Sequence, residues 1–183
     1  GITAVTFDSN EDSLATLSGF TVLNGASKGI FCENSSPSIS DCVISQTLSH
    51  SRRGIWCYTS SPNINNVLVT GNNDIGIWIG YESHPIITNS TSSFNEGGGI
   101  HCTQFSNPTI VDVIIAGNTD VAAGGGLFAG ASSNPSLQRV TIRNNQAGYN
   151  GGGGVYIGGS SSAILDSVLI TGNSTTSLGG AIR

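Results

Sequence analysis

The sequence has little charge, no methionine and no long apolar run. Only 9% of the 183 residues are charged, against roughly 25% in ordinary globular domains. No apolar stretch approaches the ~20 residues that a membrane-spanning helix needs, so we expect no membrane insertion. No signal-peptide pattern occurs in these residues, so export would depend on sequence outside them. The lack of methionine favours an internal fragment of a longer protein.

Basic residues and metal-binding motifs are scarce as well. The chain has six Lys and Arg residues against eleven Asp and Glu residues, for a formal net charge of −5. Only Arg52 and Arg53 adjoin one another, so no basic patch suits nucleic acid. The four cysteines form no CxxC pair, and we expect neither a metal nor a cofactor.

A short motif of glycine, an apolar residue, an aromatic residue and a small residue recurs along the chain. Its copies begin at Gly29, Gly54, Gly76, Gly99, Gly126 and Gly154, with a truncated copy at Gly180. A second motif follows each first one, and its clearest copies begin at Pro37, Pro62, Pro108 and Pro135. Equivalent positions lie 22 to 28 residues apart. Such regular spacing indicates a repeat architecture.

Within each repeat, apolar and other residues alternate with period two, which is typical of strands. Glycines, prolines and β-branched residues disfavour helices. The repeat lacks the leucine frame of leucine-rich repeats and is shorter than a propeller blade of about 40 residues. We therefore predict an all-β single domain over residues 1–183.

The two motifs resemble the right-handed parallel β-helix repeats of bacterial surface and secreted proteins, the pectate-lyase-like solenoids. The resemblance covers essentially the whole chain. It implies a single-stranded right-handed parallel β-helix, a β-solenoid of about seven coils of roughly 22–28 residues. Because lyases, pectinases, tail spikes and adhesins share this architecture, the resemblance leaves the function open.

Stacked coils place equivalent residues above one another, and this predicts several files of side chains. One interior file comprises Ile30, Ile55, Ile77, Ile100, Leu127 and Val155. A second interior file, with free thiols rather than disulfides, comprises Cys32, Cys57, Ile79, Cys102, Ala129 and Ile157. An asparagine ladder is expected from Asn24, Asn72, Asn118, Asn145 and Asn173.

A polar file is predicted at a sharp corner between strands, where residues adopt the left-handed conformation. It comprises Gly19, Asp41, Asn66, Asn89, Asp112, Arg139 and Ser167. Calcium binding by its carboxylates and amides is an alternative, but Asp41 and Asp112 are three coils apart and cannot share one ion.

Two files point outward. An aromatic stripe is predicted from Phe31, Trp56, Trp78, His101, Phe128 and Tyr156. Exposed rings suit sugars or a protein partner, and the alternative is that the rings stack together and shield the sheet. The other file is largely aliphatic and comprises Val43, Leu68, Thr91, Ile114, Thr141 and Leu169, a patch that implies cover or contact.

The sequence indicates no catalytic residues. The acids mostly occupy different faces or distant coils, whereas glycoside hydrolysis needs a carboxylate pair. Arg139 and Arg143 share one coil, but no Lys or His aligns beside them as a lyase would require. His50 and His84 have no partner at ligand spacing.

We therefore predict a non-catalytic domain, extracellular or on the cell surface, that acts as a rigid stalk or adhesion surface. Its partner would be a polysaccharide or a cell-surface protein. One alternative is a polysaccharide-active lyase or glycoside hydrolase. Another is a unit that associates end to end into fibres, since neither terminus resembles a cap and open strand edges recruit other chains.

Overall fold

The computed structural model describes residues 3–46 and 53–183. Within these ranges the chain forms 24 short strands and no helix, arranged in three parallel sheets of seven strands and one of three. The predicted all-β solenoid of about seven coils is confirmed. No described segment forms a helix with the length and hydrophobicity to cross a bilayer.

Each coil contributes one strand to each of the three long sheets. Sheet 1 contains β1 (Val5–Phe7), β4 (Ile30–Glu33), β7 (Ile55–Tyr58), β10 (Ile77–Gly80), β13 (Ile100–Cys102), β17 (Leu127–Ala129) and β21 (Val155–Ile157). Sheet 2 contains β2 (Thr16–Ser18), β5 (Ser38–Ser40), β8 (Asn63–Asn65), β11 (Ile86–Thr88), β14 (Thr109–Val111), β18 (Ser136–Gln138) and β22 (Ile164–Asp166). Sheet 3 contains β3 (Thr21–Leu23), β6 (Val43–Ser45), β9 (Leu68–Thr70), β12 (Thr91–Ser93), β15 (Ile114–Ala116), β19 (Thr141–Arg143) and β23 (Leu169–Thr171).

A short fourth sheet lies in the turns that follow sheet 3 in the later coils. It contains β16 (Thr119–Asp120), β20 (Gln146–Ala147) and β24 (Ser174–Thr175), paired in parallel. The sequence analysis did not predict this sheet, because a strand of two residues has no periodic pattern to detect.

The register of sheet 1 places equivalent residues of successive coils side by side. Ile77 pairs with Ile100, and Ile79 pairs with Cys102. Both predicted interior files are present, and their members are buried except Ile157, which is partly buried against the core. A single coil has no neighbour on which its aliphatic residues can pack. The core is therefore buried only when the coils are stacked.

All four cysteines are free and buried, which confirms the prediction for Cys32, Cys57 and Cys102 of the second interior file. Cys32 and Cys57 lie side by side in adjacent strands. Burial raises the pKa of the Cys32 thiol to about 12, with a smaller contribution from the charge of Glu11. Burial likewise raises the pKa of Cys57 well above its ordinary value, with smaller contributions from Cys32 and Cys102. These thiols therefore behave as small apolar side chains.

We expect none of the four thiols to react with a chromogenic disulfide reagent in the native protein at pH 8. A buried, protonated thiol is a poor nucleophile, so colour should appear only after denaturant is added, with all four cysteines then reacting. Rapid reaction of one or more thiols without denaturant would contradict this burial.

The predicted corner file adopts the left-handed conformation throughout. The φ angles run from 50° to 77° for Gly19, Asp41, Asn66, Asn89, Asp112, Arg139 and Ser167. Side chains of successive coils bond along this corner. Asn66 Nδ2 donates to Asp41 Oδ1 over 2.8 Å, and Arg139 donates to both carboxylate oxygens of Asp112 over 2.7 Å each.

An asparagine ladder runs through the interior beside sheet 3, with two corrections to its predicted members. It comprises Asn72, Asn95, Asn118, Asn145 and Asn173, each side-chain amide donating to the next side-chain oxygen over 2.9 Å. Asn24 does not belong to it, because it lies one position earlier, exposed and with a φ of 55°. Asn95 was missed in the prediction.

Candidate ligand-binding surface

The aromatic stripe lies on the outer face of sheet 1. Side chains alternate along a strand, so the inward Ile77 and Ile79 of β10 leave Trp78 outward. Trp78 pairs in register with Trp56 on one side and His101 on the other. The stripe continues in the same way to Phe31, Phe128 and Tyr156.

The rings form two groups instead of one continuous row. In the first, the Trp56 ring lies 5.2 Å from Phe31 and 5.3 Å from Trp78, between ring centres. In the second, the Phe128 ring lies 5.1 Å from His101 and 5.2 Å from Tyr156. Within the described part of the chain, no ring contact joins Trp78 to His101.

Two tyrosines extend the first group. The Tyr58 and Tyr81 rings lie 4.3 Å apart, and Tyr81 lies 5.9 Å from Trp78. These contacts leave Trp78 only 9% exposed, whereas Tyr81 is 41% exposed. The rings therefore pack on one another, as the shielding alternative expects, and ligand binding by the stripe stays a prediction.

Two cations cover the faces of the first ring group. Lys28 Nζ lies 3.7 Å from the centre of the Phe31 ring and 4.3 Å from that of Trp56. The guanidinium carbon of Arg53 lies 4.1 Å from the Trp56 ring and 4.6 Å from the Trp78 ring. We call these residues the ring–cation cluster: Lys28, Phe31, Arg53, Trp56, Tyr58, Trp78 and Tyr81. Such cation–π contacts contribute about 0.5–2 kcal/mol each.

A cavity of about 450 Å³ adjoins the cluster at the turns after sheet 1. Thr59, Tyr81, Glu82, Gln104 and Phe105 line it, and all five have φ angles between 48° and 63°. Phe105 is 60% exposed. Gln104 Oε1 is a buried acceptor with no hydrogen-bond partner in the described ranges. The cavity thus combines ring surfaces with polar groups, as small-molecule sites do.

The second ring group carries a close histidine–carboxylate contact that the sequence analysis missed. His101 Nε2 lies 3.2 Å from Asp120 Oδ2, and the backbone N–H of Ala122 donates to Asp120 Oδ1 over 2.6 Å. Asp74 and Glu96 line the same cavity of about 430 Å³. Asp74, Glu96 and Asp120 are an exception to the expectation that the acids mostly occupy different faces or distant coils, and β16 in the unpredicted fourth sheet brings Asp120 to His101.

The family of the chain follows from its match to a known repeat. A family model for the right handed beta helix region matches residues 3–175. The chain belongs to this family. Comparison with curated proteins found no match, and neither did comparison with solved structures. The β-helix fold supports a structural or polysaccharide-related family.

His84, Arg139 and Arg143 belong to neither ring group. His84 Nδ1 accepts the backbone N–H of Asn107 over 3.1 Å, and His50 lies outside the described residues. Arg139 takes the corner with Asp112, and Arg143 lies on the exposed side of β19. In the described ranges, no three His, Cys, Asp or Glu side chains converge as metal ligands would.

The outward aliphatic file of this β-helix has the predicted register on sheet 3. Leu68 pairs with Val43 and Thr91. Ile114 is 40% exposed and Leu169 is 58% exposed. The file is therefore an apolar surface on a different sheet from the ring–cation cluster.

Sequence reasoning missed the cations, although a signal for them existed. Lys28 precedes the repeat glycine Gly29, and Arg53 precedes the repeat glycine Gly54. The same repeat position in adjacent coils must stack, and the backbone N–H of Gly29 does donate to the Arg53 carbonyl over 3.2 Å.

Proposed function

We propose that this β-helix is a rigid, non-catalytic, extracellular domain that contacts a glycan through the ring–cation cluster. The observation that carries the proposal is the first ring group, in which outward rings of three adjacent coils contact one another next to a cavity with polar groups. Tyr81 belongs to both the cluster and the cavity. Aromatic side chains with a polar tip suit ligands that are partly apolar and partly hydrogen-bonding, which describes a sugar ring.

Support for the extracellular and rigid parts of the proposal comes from the fold. Right-handed β-helices are often extracellular or surface-associated. Parallel ladders join every coil to the next, and the ladder of buried asparagines adds side-chain bonds along the axis. A stack held in this way presents its outer residues at fixed positions, which suits repeated contacts with a long polymer.

A glycan array probed with Trp56→Ala tests the proposal. We expect the unchanged chain to bind at least one glycan and Trp56→Ala to lose affinity by at least about tenfold, as expected for a central aromatic contact. Tyr156→Ala is the matched control, because Tyr156 is in the same outward file but in the second ring group. Equal losses in the two variants, or no glycan bound by the unchanged chain, would contradict the proposal.

The second candidate function is a polysaccharide-active enzyme. The observation that favours it is the His101–Asp120 pair, which shares a cavity with Asp74 and Glu96. A histidine close to carboxylates can act as a general base. The same glycans are therefore assayed for new reducing ends and unsaturated products, and we expect none. Turnover by the unchanged chain that is abolished in His101→Ala would contradict the non-catalytic proposal and support the enzyme.

The fibre alternative is tested separately. Concentration-dependent filaments detected by light scattering would favour it.

A further inference from the structure

Lys28 and Arg53 lack the carboxylate partners that cations in proteins usually have. Across the described ranges, the contacts within 4.0 Å between basic and acidic side chains are His101–Asp120 and Arg139–Asp112. Arg139 is exposed and paired, whereas Lys28 and Arg53 are partly buried and have no such pair. Partial burial of a charge without a counter-charge is costly, so the two cations call for an explanation.

Donor groups at the same place are also unsatisfied. Arg53 Nε and Trp56 Nε1 are buried and have no hydrogen-bond acceptor in the part of the chain that the structure describes. They lie in one cluster, since the Arg53 guanidinium covers the Trp56 ring. Buried donors are nearly always bonded in native proteins, and a ligand with acceptor oxygens is one way to complete such a site.

Electrostatics favour an anion at this position. Burial lowers the pKa of Lys28, and the positive charge of Arg53 lowers it further, against a smaller opposite effect of Glu33. Burial also lowers the pKa of Arg53, against opposing effects of Asp74 and Tyr81. The two cations come from successive coils and share the Trp56 ring. A bound negative group would offset the repulsion between the two positive charges.

We infer that Lys28 and Arg53, held over the rings of Phe31 and Trp56, form a binding site for an oxyanion. The matching ligand chemistry is a carboxylate or sulfate group. The planar guanidinium binds such a group through two hydrogen bonds, and the ammonium adds a point charge. This inference rests on the proposed function, because it identifies the oxyanion as an acidic substituent of the bound glycan.

Titration of tryptophan fluorescence, with calorimetry, tests the site in the full chain. Sodium sulfate and sodium glucuronate are the probes, each replacing sodium chloride at constant ionic strength, with methyl glucoside as the neutral sugar. We expect both anions to bind saturably, with glucuronate the tighter. We expect Arg53→Gln and Lys28→Gln each to weaken binding by about tenfold or more. Arg143→Gln is the control, because it removes the same charge from an exposed position on sheet 3.

The outcomes separate this inference from the proposed function. Melting curves verify folding, and Arg53→Lys, which keeps the charge, should retain part of the binding. Saturable sulfate binding without glucuronate binding would support an oxyanion site and remove the glycan as its source. No saturable binding of either anion, or an equal loss in Arg143→Gln, would overturn the inference. If neutral glycans bind through Trp56 and substitution of Lys28 or Arg53 does not change their affinity, the proposed function is supported and the oxyanion inference is overturned.

Discussion

Replacing Asn118 by alanine should lower the free energy of unfolding by about 3–5 kcal/mol, because each buried polar group left without a partner costs about 1–3 kcal/mol. Asn118 Nδ2 donates to the Asn145 side chain over 2.9 Å and to the Ser92 carbonyl over 3.0 Å. Asn118 Oδ1 accepts from both the backbone N–H and the side-chain amide of Asn95. Alanine supplies none of these bonds, and water does not reach a residue with no exposed surface.

The measurement is the shift in the urea unfolding midpoint, with Asn63→Ala as the matched control. Asn63 lies exposed on β8, and substitutions of this kind usually change stability by about 0.5 kcal/mol or less. The effect of Asn118→Ala should also exceed that of a single lost bond, because ladder members are bonded on both sides. A loss no larger than that of Asn63→Ala would show that the ladder does not stabilise the coil stack.

The register of the coils was predictable because two motifs in each repeat define it. The glycine motif locates the strand of sheet 1 and the proline motif locates the strands of sheets 2 and 3, and parallel stacking then aligns the interior files. The corner was predictable for a second reason, since glycine, asparagine and aspartate favour the left-handed conformation. Arg139 and Ser167 adopt it as well, so the strand ladders impose the corner even where the local preference is weak.

The ladder and the fourth sheet show where the sequence pattern ends. Asn24 and Asn95 lie in turns after sheet 3, where no glycine or proline motif fixes the count. An error of one residue there moved Asn24 into the ladder. Asn95 was missed although it lies two residues after β12, as Asn72 lies two residues after β9. The strands of the fourth sheet have two residues each, too few for any periodicity. The His101–Asp120 pair depends on that sheet and could not be predicted without it.

The sequence predicted the rings of the candidate site but not the cations that cover them. Strand alternation alone fixes the side of the sheet to which Trp56 and Trp78 point. The repeat places Lys28 and Arg53 at the same position of adjacent coils. The direction of a long flexible side chain depends on what surrounds it, so the repeat does not predict that the two cations fold over the rings. The exposed Tyr81 lies in a left-handed turn, whose direction the alternation of β10 does not determine.

The glycines that begin each repeat are required by close packing between coils, and not by an unusual backbone angle. A Cβ atom on Gly29, Gly54, Gly76, Gly99, Gly126 or Gly154 would approach the carbonyl oxygen of the next coil to between 2.5 and 2.8 Å. None of these six residues has a positive φ. The carbonyl belongs to the backbone ladder, so it cannot move without disturbing the register of sheet 1.

Gly99→Ala should therefore destabilise the chain by about 3 kcal/mol or more, the upper part of the range for overpacked cores. The new Cβ would lie 2.5 Å from Ile115 Cγ2, 2.7 Å from the Gly126 carbonyl oxygen and 2.8 Å from Asn118 Nδ2, so it disturbs the core, the strand ladder and the asparagine ladder together. Gly19→Ala is the control, because no atom lies within 4 Å of its Cβ position and its φ is +77°. Left-handed strain alone costs about 1–2 kcal/mol. If urea unfolding gives equal losses for the two alanine variants, the close approach of the coils is not what excludes a side chain at Gly99.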